Sequence, residues 1–356
     1  MVKGVKISKI QLFLLIIGFL YSNTVIINPV KGALQDIWIA YILALAGGFA
    51  LLSVYLGIAK LNPYKTLIQI LIDTFGKIAG IIISIAYIWY FIHISALVLR
   101  DFGEYMITTT FPETPIAFVM GALSLIIAIA LKKGFEVVAR TNELMMLVLP
   151  LFVLFLIVAS AERYDFKNLL PVLENGFVFV LKPAFCNLTF PFGELVVFLM
   201  IFPYLNKQEK LLKTSYFALG VGGFLIFMSI IKDFLVLGSD MIIRTHFPSN
   251  ISAELIPSIN PEPLITANMM IGGGVKVVIC IYAAIAGISE LFNLNNLRIL
   301  VIPVSSFVLI LSIWLFDNIF DTLRWGGEVW PYYSIPFQIV IPLLIFAISL
   351  VKHRIE

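Results

Sequence analysis

Apolar runs long enough to cross a bilayer recur along the whole of this 356-residue chain, and no other feature limits its fold so strongly. A membrane helix needs about 20 consecutive, mostly apolar residues. Inside lipid every backbone donor and acceptor must be satisfied by the protein itself. The chain is 61% hydrophobic and 13% charged, whereas soluble domains run nearer to a quarter charged. A water-soluble enzyme is therefore excluded, and the expected class is an all-α polytopic membrane protein.

Ten spans are expected at about 10–30, 37–59, 79–99, 115–131, 144–160, 183–203, 214–238, 268–292, 298–316 and 333–351. The N-terminal run follows Lys3, Lys6 and Lys9 but lacks a small-residue cleavage site, so it reads as an uncleaved first span rather than a signal peptide. Lys and Arg favour cytoplasmic loops. With the N-terminus inside, fifteen basic residues fall on the cytoplasmic side and seven outside, which predicts that both termini are cytoplasmic. Cys186 and Cys280 sit in apolar spans and suggest no disulfide framework.

The sixth span does not read as an ordinary helix. Lys182 to Tyr204 is apolar, yet its centre holds Cys186, Asn187, Thr189, Phe190, Pro191, Phe192, Gly193 and Glu194. Pro191 removes a backbone donor, Gly193 loosens the chain, and a carboxyl group at mid-membrane costs about 3 kcal/mol or more unless it faces protein or a wet cavity. The first span repeats the theme, with the polar run Ser22-Asn23-Thr24 and then Pro29. Spans 1 and 6 open two sets of five, and an odd number of spans makes the sets enter from opposite sides. Interrupted helices in corresponding places of inverted halves point to a midplane site. A lone membrane proline mostly means a kink; the pairing is what favours a site.

Other features leave alternatives open. Tyr90 and His93 share a helical face with Tyr87, either as a stripe toward the site or as aromatic packing around a neutral histidine. Residues 62–76 predict an interfacial or re-entrant helix capped by Asn62, begun by Pro63 and ended by Gly76, or else a simple extension of span 3. Residues 132–143 read as a charged elbow in which Arg140 could gate against a carboxylate. Arg100, Asp101 and Glu104 read as a solvated or gating network at the outer end of span 3. Lys232 is expected to snorkel outward. Gly272-Gly273-Gly274 either admits a close backbone or unwinds a turn. The proline-rich segment 239–267 suits a lid, and Trp325, Trp330, Tyr332 and Tyr333 read as an interfacial belt. No phosphate loop, dinucleotide fingerprint, metal spacing or serine elbow is present, so no catalytic residue, metal, cofactor or nucleic-acid partner is expected.

The ordered motifs resemble a known family. They are Ile7-Ser8-x-x-Gln11, Pro29, Asp36-Ile37-Trp38-Ile39, Leu99-Arg100-x-Phe102, Thr114-Pro115, Gly134-x-Glu136 with Arg140, Phe190-Pro191-Phe192-Gly193-Glu194, Pro203 and Phe247-Pro248. Together they are similar to the B subunits of nutrient-sensing spore-germination receptors, relatives of the amino acid–polyamine–organocation transporters. Members often carry glycines where this chain has Ser22-Asn23-Thr24. The resemblance implies one integral domain over 1–356 with the LeuT-type 5+5 inverted repeat, its halves at 10–160 and 183–352. It also implies a germinant receptor of the spore inner membrane, assembled with A and C subunits and binding an amino acid or similar nutrient. An ion-coupled amino acid transporter is the alternative. The expected ligand residues are Ser22, Asn23, Thr24, Tyr90, His93, Thr189, Phe190, Phe192, Gly193 and Glu194.

Overall fold

A computed structural model of the protein describes residues 5–257 and 260–355. Lys3 and the pair 258–259 of the proposed lid lie outside the described residues. Among the described residues there is no strand, only an isolated bridge between Ile7 and Leu205. The helices are α1 (Lys9–Tyr21), α2 (Thr24–Ile27), α3 (Ile37–Leu61), α4 (Leu67–Phe75), α5 (Lys77–Thr109), α6 (Ile116–Lys133), α7 (Phe135–Ala159), α8 (Phe177–Asn187), α9 (Leu211–Arg244), α10 (Pro248–Glu254), α11 (Glu262–Leu291), α12 (Arg298–Trp314), α13 (Ile319–Arg324), α14 (Trp330–Tyr333) and α15 (Ile341–Ile355). Eight helices are long and apolar enough to cross a membrane, and a ninth span bends by 103° between Trp314 and Ile319. The first expected span appears as α1 and α2, the former only 13 residues long. Each of the ten expected spans thus has a helical counterpart.

Both chain ends lie on one face of the bundle. Ile7 donates to the Tyr204 carbonyl at 2.9 Å, Lys6 N–H donates to Glu136 at 2.8 Å, and Lys352 donates to the Asp73 carbonyl at 2.7 Å. We call this the terminal face. On the opposite face Lys31 donates to the Thr245 carbonyl at 2.8 Å, and Asn168 donates to the Leu235 carbonyl at 3.1 Å. Between the two, α5 packs along α11, which is the most enclosed span; α1 lies against α7, α9 and α11, and α3 against α8 and α15.

Several local expectations change. The short helix before α5 is capped by Thr66 in a reciprocal box with Gln69, not by Asn62 and Pro63. Asn62 instead closes α3, its amide donating to the Ile58 carbonyl at 3.0 Å. The stop at Gly76 holds, with φ 80° where a side chain would be strained. The supposed elbow 132–143 is largely helix, because α7 begins at Phe135; Glu136 and Glu143 hold Lys6 and Gln11, while Arg140 is exposed.

Helix α5 continues past its expected end, so Arg100 and Glu104 become a buried pair at 2.6 Å rather than a solvated network. Lys232 does not snorkel either. It is 2% exposed and meets Asp233 at 2.6 Å, because α10 folds over it and Ser252 accepts from it at 2.9 Å. The expected aromatic belt is internal at Trp330, which is buried and stacks on Tyr90.

Candidate ligand site

Both proposed breaks exist. Helix α1 stops at Tyr21, Ser22 takes φ 4° and ψ −132°, and the chain turns helical again only at Thr24. Helix α8 stops at Asn187, Phe190 is extended at φ −138° and ψ 107°, and a tight 3-10 helix then runs from Gly193 to Met200. Pro191 lacks a donor, and Thr189 bonds back to the Cys186 carbonyl at 2.9 Å, competing locally with helix bonding.

One face of α11 touches both breaks. A Cβ on Gly272 would lie 2.9 Å from the Ser22 Cα, so only glycine admits the broken backbone there, and α11 stays helical through its three glycines. One turn further on, the Lys276 ammonium pairs with the Glu194 carboxylate, both fully enclosed. The same ammonium lies 4.4 Å from the Phe190 ring centre and 5.2 Å from that of Phe19. Two charges this deep are tolerated because each neutralises the other and two ring faces solvate the cation.

A cavity of about 170 Å³ opens between the breaks and the opposite face. Its apolar wall is Ile94, Leu97 and Val98 of α5, facing Phe190 and Trp330. Its ionisable groups are Asp101, Glu194 and Lys31. Asn23 ties the first break to α5 by donating to Asp101 at 2.5 Å. Four lining residues, Asn23, Asn28, Trp325 and Trp330, carry buried polar atoms with no partner among the described residues. Buried polar groups are nearly always bonded, so these atoms are the ones left for a ligand or water. Aromatic rings pack between α7, α11 and the end of the sixth span toward the terminal face. Phe135 stacks on Tyr282 at 4.2 Å, and Tyr204 meets Tyr282 at 6.0 Å.

Of the expected residues, Asn23, Phe190 and Glu194 line the cavity. Ser22 and Thr24 are buried in the first break, with unpartnered hydroxyls, but do not line it. Thr189 gives its carbonyl to the Gln338 amide at 2.9 Å. Phe192 packs edge-on to Tyr41 at 5.9 Å, and the Gly193 carbonyl accepts from Tyr55 at 3.0 Å. Tyr90 accepts from Gln338 at 2.8 Å and stacks on Phe337 at 4.5 Å. His93 sits among Trp89, Trp325 and Tyr333 with its Nδ1 unpartnered.

The face of α5 was legible; its height was not. Tyr90, Ile94, Leu97 and Asp101 follow helical spacing, and the cavity uses the upper part of that stripe. Sequence reasoning missed Lys276, although a lone ammonium in an apolar span carries the same cost as Glu194 and so demands a partner. It also left Asp101 out of the site, and Lys31, Asn28 and the two tryptophans had no signal short of the fold.

A family model described as "Spore germination protein" matches residues 6–319. Spore germination protein KB of Bacillus subtilis (strain 168) is 35% identical over 361 residues, covering 98% of this chain and 96% of that protein. Among solved structures, MhsT in complex with L-phenylalanine superposes with a TM-score of 0.64 at 13% identity, covering 98% of this chain and 99% of that one. Mhp1, a nucleobase-cation-symport-1 family transporter, superposes with a TM-score of 0.63 at 10% identity, covering 94% and 79%. Identities this low carry the fold alone, which is that of the LeuT-type transporters.

Proposed function

This chain belongs to the spore germination protein family, and on that premise we propose that it is the ligand-binding subunit of a nutrient-germinant receptor. The observation that carries the reading is the buried Lys276–Glu194 pair, which ties the continuous helix α11 to the broken sixth span beside the cavity that Glu194 lines. Its lining presents two carboxyl groups, Asp101 and Glu194, of which Lys276 neutralises one. Asp101 and Lys31 are left as opposite charges in the same lining, which suits a zwitterion, and a ligand ammonium would lie between Asp101 and Glu194. A ligand carboxylate would turn to Lys31 at the mouth, and an apolar side chain to Ile94, Leu97 and Val98. That is the chemistry of an amino acid. Ligand binding would shift the balance between two arrangements of the halves 10–160 and 183–352, which partner A and C subunits would sense.

The fold likeness to transporters favours a second reading, an ion-coupled amino acid transporter. One experiment separates them. Spores lacking this protein should lose the response to a particular amino acid, and N-acetylation of that amino acid, which removes the ammonium, should abolish the wild-type response. Vesicles holding this protein alone should not accumulate the labelled amino acid. Accumulation in those vesicles, with germination intact in the deletion strain, would make it a transporter.

We further place the terminal face in the cytoplasm, at the spore inner membrane, because basic residues concentrate there. With Cys186 and Cys280 replaced by Ser, a cysteine at the exposed Glu113 should react with an impermeant reagent added outside, and one at the exposed Lys207 only after lysis. The reverse pattern overturns the orientation.

A further inference from the structure

Away from the central cavity, a groove of about 350 Å³ runs between α1 and the start of α9 on the terminal face. Its floor is Ile10, Phe13 and Phe217, the two rings stacked at 5.4 Å. Its rim is Lys9, Lys210 and Lys213, all exposed. Two features make this rim unusual. The lysines stand at the N-terminal ends of α1 and α9, the positive ends of the two helix dipoles, where cations are disfavoured even though Ser8 caps one N–H of α1. None of the three makes an ion pair among the described residues, and neither does Glu209 beside them. The uncompensated charge calls for an anion.

The layering identifies which anion. Both helices run inward from the terminal face, so a residue four positions on lies just over one turn, about 6 Å, deeper. Lys9 thus stands one turn above Phe13, and Lys213 one turn above Phe217. Ammonium groups at the bilayer surface with an apolar trough directly beneath them match a phosphate headgroup with acyl chains attached. A soluble anion would leave the trough unused. Basic pockets between membrane helices recognise anionic headgroups in this way. We propose that this groove is a binding site for an anionic phospholipid, the phosphate held by Lys9, Lys210 and Lys213 and an acyl chain lying on Phe13 and Phe217.

The test uses the full chain purified in detergent and offered an equimolar mixture of phosphatidylglycerol and phosphatidylcholine, with bound lipid read by native mass spectrometry. The wild type should retain phosphatidylglycerol preferentially. Lys9→Gln/Lys210→Gln/Lys213→Gln should lower that preference about tenfold or more, while Lys132→Gln/Lys133→Gln, on the same face at the end of α6, should leave it unchanged. Thr214→Trp fills the groove without touching the charge and should produce the same loss, which covers the case in which the triple variant fails to fold. A wild type without preference, or a folded triple or Thr214→Trp variant that keeps it, overturns the proposal.

Discussion

Lys276→Met is expected to cut the amount of folded protein in the membrane sharply, because it leaves the Glu194 carboxylate enclosed without its counter-charge. Removing one member of a buried pair costs about 3–5 kcal/mol, a large share of the 5–15 kcal/mol or so that holds a typical domain folded. Replacing both members by neutral groups of similar volume is often close to neutral. Glu194→Gln/Lys276→Met should therefore regain most of the lost protein. It should not regain the ligand response, since one of the two carboxylates that would hold a ligand ammonium is gone. Membrane-fraction yield and the dose-response of germination read the two effects separately. Wild-type yield and wild-type sensitivity in Lys276→Met would remove the pair from both stability and binding. Normal sensitivity in the double variant would leave the cavity without its proposed anchor.

Asp233→Ala should destabilise by a similar amount, about 3–5 kcal/mol, with a different signature. Asp233 accepts from Ser249 at 2.5 Å and from Ser252 at 2.6 Å while pairing with Lys232, so one carboxylate clasps α10 onto α9. Its loss strands the Lys232 ammonium and frees α10 together. None of these groups lines the central cavity, so protein that does fold should respond to ligand at the wild-type midpoint. The neutral pair Lys232→Met/Asp233→Leu should recover much of the thermal stability in detergent. An unchanged melting midpoint in Asp233→Ala, or a shifted response midpoint, would contradict this assignment.

The contrast between these two pairs shows where sequence reasoning works. Glu194 announced itself because it stands inside a run whose Pro191 and Gly193 already forbid a regular helix. Lys232-Asp233 fell near a span end, where a lysine can ordinarily reach water. Only the folding of α10 across that end makes the pair internal. Trp330 was misplaced for a similar reason. Aromatic residues at a span end usually mark the lipid interface, but the 103° bend after α12 turns this segment inward onto Tyr90.

What the sequence by itself determined is the class and its punctuation. Apolar runs set the number of spans, since lipid leaves an unbonded backbone no alternative to the helix. Pro, Gly and short polar side chains set where the first and sixth spans break, since those effects act within a few residues. What the tertiary structure decided is which distant groups meet. Lys276 reaches Glu194 across 82 positions and Asn23 reaches Asp101 across 78; no local propensity encodes either meeting. The height of the cavity on α5 was settled in the same way, because Gln338 and Trp330 cover Tyr90 and leave the turns from Ile94 to Asp101 open. A helical stripe fixes an angle about the axis, and only the packing of neighbouring helices fixes how far along it the space begins.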